Sequence, residues 1–203
     1  MQSPARPGIA GILLGAGAGS RFGGGKLIHP LSDGIPIGVR AWLTLSAALP
    51  DVTVVVRTGD DRVEAMFREV GASVVLCPDA HLGMGHSLGC AVRATPSAAG
   101  WVIALADMPA VLPSTIRAIA QRLEQGSGIV VPVHRGERGH PVGFSADYRD
   151  RLMDLAGDSG ARAILKESAA SVERIEVDDP GVLQDVDTRE DFERLEGRGR
   201  GTA

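Results

Sequence analysis

Near its start the chain places two cations inside a run of glycines: Leu14-Gly15-Ala16-Gly17-Ala18-Gly19-Ser20-Arg21-Phe22-Gly23-Gly24-Gly25-Lys26. Glycine lets the backbone approach a ligand closely and turn its amides toward it, and such a nest binds anions. Arg21 and Lys26 add positive charge to the same turn. Phosphate is therefore the expected ligand, held by the backbone of Leu14, Gly15, Ala16 and Gly17 together with both cations. The alternative is a flexible linker with two basic residues. It fits poorly with the apolar run Ile9–Leu14 directly before it, which reads as a buried first strand. Two common phosphate loops do not match. A P-loop needs glycine at position 20 and a hydroxyl after the lysine, whereas Ser20 and Leu27 stand there. A dinucleotide fingerprint beginning Gly15-x-Gly17 also needs glycine at position 20, and the second strand ends in Arg57-Thr58-Gly59, without the acid that holds ribose hydroxyls.

The second chemical signal is a carboxylate, Asp107, delivered by the apolar run Val102-Ile103-Ala104-Leu105-Ala106 and followed by Met108-Pro109. At the end of a central strand, facing an anion-binding loop, it is placed to hold Mg²⁺, which takes oxygen ligands and often only one or two from protein. A turn-forming aspartate is the structural alternative. Further on, Asp187 or Thr188 can cap a final helix. On their own, His140 reads as a loop histidine, Arg162 as a surface helix residue, and Met84 and His86 as packing or solvent-facing side chains.

These positions are carried by alternating strands and helices. Helices are expected at Ile37–Leu49, from an Asp60 cap to Val70, at Met84–Ala94 and at Ser114–Gln125. Between them lie strands at Val52–Val56, Ser73–Leu76, Trp101–Ala106 and Ile129–Val133. Such alternation predicts one α/β domain, a mostly parallel sheet with helices on both faces, whose ligands gather at the carboxyl ends of the strands. Past Val133 it breaks, and His134 to Pro141 reads as a substrate-side insertion leading into an extended Val142–Ser145. Asp147–Ala156, Ser159–Lys166 and Thr188–Glu196 read as helices, Val172–Val177 and Val182–Val186 as extended. The domain is expected over residues 1–196, and 197–203 as a disordered polar tail.

With 203 residues, 44% apolar, the chain can bury one core. Its net charge of −4 without a basic cluster excludes wholesale nucleic-acid binding, so the partners are expected to be small molecules. Met1 to Gly8 lacks a signal-peptide core, and no apolar stretch approaches the ~20 residues of a membrane span. A cytoplasmic location and no membrane partner follow. Cys77 and Cys90 lack metal-ligand spacing and are expected to be buried, idle thiols.

The glycine loop resembles the nucleotidyltransferase signature Leu-Ala-Ala-Gly-x-Ser-x-Arg-Met-Gly-x-x-Lys of the MobA/MocA-like family, which makes molybdopterin dinucleotides. Asp107-Met108-Pro109, Gly139-His140-Pro141, Gly157-Asp158-Ser159-Gly160-Ala161-Arg162, Gly83-Met84-Gly85-His86-Ser87 and Asp187-Thr188-Arg189-Glu190-Asp191 follow that family's motifs from Ile9 to about Leu195. The resemblance is nearest to molybdenum cofactor cytidylyltransferases. It implies a Rossmann-like three-layer nucleotidyltransferase fold and transfer of a nucleoside monophosphate, CMP before GMP, from an NTP to the terminal phosphate of molybdopterin. In that reading Asp107 and Asp187 hold Mg²⁺, with Asp185 the weaker alternative. Ser87 lies near the nucleotide, His140, Pro141, Asp158 and Arg162 contact the acceptor, and a molybdoenzyme or another cofactor-pathway protein is a possible partner. Departures are Gly15, Gly19 and Phe22 in the loop, and Arg189 where the family has proline, a position expected to lie off the chemistry. Three rivals remain: nucleotidyl transfer to another small phosphorylated acceptor, such as a sugar phosphate or phospholactate; an NAD(P)H oxidoreductase of the nicotine-blue type, opposed by the missing dinucleotide fingerprint; and a non-catalytic molybdopterin carrier, which would tolerate loss of Lys26 and Asp107, both present.

Overall fold

The computed structural model describes residues 8–17, 19–157 and 160–199. β1 (Ile9–Leu14) is buried from both sides, which is why it reads as a nearly unbroken apolar run. It pairs in parallel with β2 (Val52–Arg57) and β4 (Gly100–Leu105), and β2 pairs in parallel with β3 (Ser73–Cys77). Beyond β4 the direction changes. β7 (Val142–Ser145) runs antiparallel between β4 and β5 (Ile129–His134), so β5 again points the same way as β1. β8 (Val172–Glu176) lies parallel to β5, and the two-residue β6 (Glu137–Arg138) folds back on it. This is the expected mostly parallel sheet, ordered β3-β2-β1-β4-β7-β5-β6 with β8 on β5.

Strand alternation sends successive side chains to opposite faces, and two cores result. Leu13, Val54, Val56 and Val102 pack with Leu45 of α1 (Ile37–Ser46), Phe67 of α2 (Asp61–Glu69) and Ile116 of α4 (Pro113–Glu124). Ile12, Val55, Ile103 and Phe144 pack with Leu88 of α3 (Met84–Ala94), Leu152 of α5 (Arg149–Met153) and Ile164 of α6 (Arg162–Glu167). No helix among the described residues is long and apolar enough to cross a membrane.

Four expectations are corrected. Val182–Val186 is not a strand: Pro180–Leu183 forms a 3₁₀ turn, with Pro180 at its start and the Asp179 carboxylate accepting from Gly181 N. The 147–156 helix is shorter, a 3₁₀ turn followed by α5. The last helix, α7 (Arg189–Gly199), runs into the segment expected to be disordered; positions 200–203 lie outside the described residues. Cys77 and Cys90 are joined in a disulfide, with Cα atoms 6.0 Å apart. The fold brings the end of β3 against the middle of α3, a proximity that spacing in the chain does not reveal.

One buried acid ties the C-terminal segment to this frame. Asp179, 1% exposed, accepts from Gly181 N at 3.0 Å, Leu112 N at 2.9 Å and Thr115 Oγ1 at 2.6 Å. It caps α4, whose own N-cap, Leu112, has no side-chain acceptor. Asp179→Ala would strand three donors, so a loss of about 3 kcal/mol is expected, read as a lower urea midpoint at unchanged slope. An unshifted midpoint would contradict this role.

Candidate active site

The glycine loop leaves β1 at the carboxyl edge of the sheet. Gly19, Gly23, Gly24 and Gly25 all have positive φ, 58°, 90°, 90° and 64°, a path that side-chain-bearing residues take only with strain. The path ends by turning Lys26 inward on a 3₁₀ turn, Lys26–Ile28, where the lysine is 8% exposed.

Two carboxylates meet that ammonium. Asp107 follows β4, and Lys26 Nζ donates to its Oδ2 at 2.6 Å. Asp187 arrives from the other end of the chain and accepts from the same nitrogen at 3.1 Å. Arg21 Nη2 reaches the second Asp187 oxygen at 2.7 Å while remaining largely exposed. The two aspartates are aligned through backbone as well, since Val186 N donates to Asp107 O at 2.9 Å. Burial opposes the Lys26 charge, but the carboxylates outweigh it and hold the ammonium above the usual lysine range.

Asp187 is free for this because it does not cap α7. Thr188 does: its Oγ1 accepts from Asp191 N at 3.2 Å, and Asp191 Oδ2 accepts from Thr188 N at 2.8 Å, a reciprocal capping box. The Thr188 hydroxyl, ahead of the two backbone amides, holds the Asp191 carboxyl below its ordinary value. Asp185 is raised instead, first by partial burial and then by the charges of Asp187, Asp107 and Asp191.

Above the ion triad opens a cavity of about 440 Å³. Leu14, Gly15, Ala16, Gly17, Lys26, Ser87 and Asp107 all line it, which joins the loop to the first turn of α3. It also contains Arg57, His81 and Met84, which sequence reasoning had assigned no ligand. The signal for Arg57 was available: it stands two residues beyond Val55 on the α3 face of β2, at the carboxyl end of a parallel strand. A second cavity, about 430 Å³, lies on the β5 side, between His134, Arg135 and Glu137 and the segment Gln184, Asp185, Val186. Asp185 and Val186 line this second cavity, and the next residue, Asp187, pairs with Lys26, which lines the first.

His140 and Pro141 are elsewhere, in a small crevice with Thr44, Met108 and Ile116. His140 Nδ1 is buried without a hydrogen-bond partner among the described residues. Burial first, and then the charge of Arg138, lowers its pKa; Asp107 acts in the opposite sense, and Arg162, the first residue of α6, again lowers it. Asp158 lies outside the described residues.

Among the described residues no three His, Cys, Asp or Glu side chains gather into a metal cage. The donor set that does exist, two hard carboxylates converging on a position already held by a cationic nitrogen, fits a divalent ion that keeps water or phosphate for its other ligands.

A parallel α/β sheet carrying a cationic glycine loop and paired carboxylates at its carboxyl edge is the build of a nucleotide-handling enzyme. Residues 11–173 match the MobA-like NTP transferase domain, and the chain belongs to that family. It is 33% identical to the purine catabolism protein PucB of Bacillus subtilis, over 93% of this chain and 96% of that one. It is 29% identical to the nicotine blue oxidoreductase of Paenarthrobacter nicotinovorans over 93% of this chain and 97% of that one. Against the molybdenum cofactor cytidylyltransferase of Escherichia coli identity is 24%, over 89% and 92% of the two chains. Among solved structures, Rv0371c of Mycobacterium tuberculosis superposes with a TM-score of 0.83 at 28% identity, over 96% of this chain and all of that one. A manganese complex of Rv0371c superposes at 0.81, with 27% identity over 95% of this chain and 100% of that one.

Proposed function

We propose that this chain transfers a nucleoside monophosphate, CMP in preference to GMP, from an NTP to the terminal phosphate of molybdopterin or a closely similar phosphorylated acceptor. The observation that carries the reading is the Lys26 ammonium shared by Asp107 and Asp187 beneath the glycine-loop cavity. An acceptor phosphate oxygen attacks the α-phosphorus, the new P–O bond forms, and the bond to the β-phosphate oxygen breaks to release pyrophosphate. The nucleophile is already an anion, so no protein base is needed. Loop amides, Lys26 and Arg21 orient the triphosphate and offset the charge that spreads over it. Asp107 and Asp187 would hold Mg²⁺, which supplies Lewis-acid neutralisation of the phosphates.

We assign the acceptor to the β5-side cavity, whose wall at Asp185 and Val186 leads directly to Asp187 beside Lys26. Arg135 supplies a cation there. The decisive assay is pyrophosphate release with Mg²⁺ and each nucleotide, with and without molybdopterin. A second reading, NAD(P)H oxidation, is favoured by the similarity to nicotine blue oxidoreductase, and an NADH-oxidation control in the same assay separates the two.

At the base end, the Ala16 methyl narrows the cavity, which suits a pyrimidine, whereas the donor-only guanidinium of Arg57 can serve the adjacent carbonyl and ring-nitrogen acceptors of cytosine or of guanine. CTP is therefore expected to be used faster than GTP, by no more than the ~3 kcal/mol that one methyl typically commands. Arg57→Ala is expected to slow CTP and GTP use alike, since both bases offer acceptors to its guanidinium. Initial rates with the four nucleotides check both statements, and equal or better use of GTP by the unaltered protein would overturn the base assignment.

A further inference from the structure

Four positive-φ glycines make the loop's path accessible and also leave it entropically costly to hold, so its order must come from outside the loop. The one large apolar side chain between Gly19 and Gly25 is Phe22, and it is 2% exposed. It packs against Ile37 and Val186, with Phe192 and Leu195 of α7 beside it. Its ring meets His29 edge-on at 5.4 Å and Phe192 at 6.3 Å, and His29 and Phe192 stand 4.7 Å apart.

Over this cluster lies Arg189. Its guanidinium carbon is 4.4 Å from the Phe22 ring centroid, and Nη1 is 3.3 Å from His29 Nε2. As the first residue of α7 it is a cation at the positive end of a helix dipole, a position that disfavours it unless another interaction compensates. Stacking on an aromatic face and the contact with the His29 ring nitrogen supply that compensation. Two residues earlier stands Asp187, bound to Arg21, the immediate neighbour of Phe22. The loop and the start of α7 are thus joined twice, by the Arg21–Asp187 ion pair and by Arg189 on Phe22.

We infer that Arg189 is a positioning residue: stacked on Phe22, it holds the glycine loop in register with Asp187, so that the phosphate-binding amides and the carboxylate pair form one preorganised site. Both residues are where this chain departs from the family's loop and C-terminal motifs, and each supplies what the other lacks, an aromatic face and a planar cation. Arg189 is exposed, so its truncation leaves the core filled.

The inference rests on the nucleotide-transfer reading for its ligand, and the experiment keeps the two apart. Amide hydrogen exchange is measured on the whole protein for Arg189→Ala, Phe22→Leu, the double variant and Phe22→Tyr. Loop amides from Gly19 to Gly25 are expected to exchange about tenfold faster in Arg189→Ala and in Phe22→Leu, with no further increase in the double variant, while β1 and β4 amides stay unchanged and Phe22→Tyr behaves as the parent. Binding of inorganic pyrophosphate with Mg²⁺ is expected to weaken in Arg189→Ala by the factor by which the ordered, binding-competent fraction of loops falls. If the NTP assay is active, KM rises with little change in kcat. Unchanged loop exchange in Arg189→Ala, or effects that simply add in the double variant, would overturn the inference whatever the substrate. Faster exchange with pyrophosphate affinity intact would show the stack to be structural only and would equally overturn it. An inactive parent enzyme with the exchange pattern intact would count against the reaction and not against the latch.

Discussion

Lys26→Ala is expected to reduce pyrophosphate release about a hundredfold, the ~3 kcal/mol typical of one electrostatic donor lost from a transition state. The ammonium is 8% exposed, and it is the shared partner of Asp107 and Asp187 beside the glycine-loop cavity, a buried position that the exposed Arg21 does not occupy. Sequence reasoning places this group toward phosphate and away from the core, and on that basis expects little change in stability. The structure alters that expectation. Truncation leaves two carboxylates, each about a quarter exposed, facing a hole where their counter-charge had been. Breaking a fully buried pair costs several kcal/mol, and partial exposure here reduces that to about 1–2 kcal/mol. The urea midpoint should therefore fall, and Mg²⁺ should restore part of the loss by taking the place of the missing cation. Near-normal pyrophosphate release would reject the catalytic role, and an unshifted midpoint would reject the neutralising one.

Asp107→Asn is expected to be the most damaging change among the carboxylates, and its defect should deepen as Mg²⁺ becomes limiting. Asparagine keeps the shape and a carbonyl oxygen but gives up the charge that attracts a divalent ion. Asp107 also holds the shorter contact to Lys26, 2.6 Å against 3.1 Å for Asp187. Asp187 has Arg21 as a further partner at 2.7 Å, so its charge is already offset by an exposed guanidinium, and Asp187→Asn should cost less. We expect about a hundredfold loss for Asp107→Asn at saturating Mg²⁺ and clearly more below saturation. A Mg²⁺ titration of initial rates for both variants checks this. A defect independent of Mg²⁺ in each would leave the two aspartates as partners of Lys26 alone and remove the metal from the proposal.

The elements on which the site stands were legible because each has a local cause. The Ile9–Leu14 run has no polar residue to place in solvent, which marks a strand covered on both faces. Met84–Ala94 matches α3 at both ends, and the strands around Val52, Ser73, Trp101 and Ile129 lie within a residue or two of their expected bounds. Glycines in series with Arg21 and Lys26 announce an anion loop whatever the fold around them. A charged residue just after a central strand, Asp107, marks either a ligand position at the sheet's carboxyl edge or a turn, and chain order alone leaves both open.

What the chain order could not reveal is which distant groups share a few ångströms. Local spacing leaves Asp187 and Thr188 equally able to cap α7; only the Thr188–Asp191 capping box releases Asp187 to Lys26. Cys77 and Cys90 carry no pairing signal until β3 and α3 are packed together. Arg189 looked remote from the chemistry because its role lies in a contact with Phe22 across most of the chain length. Residue type and periodicity report on energies between near neighbours, helix turns, strand faces and caps. The Lys26–Asp107–Asp187 triad is instead set by how parallel strands bring their carboxyl ends to one edge, and that order is decided only when the two hydrophobic cores close on the sheet.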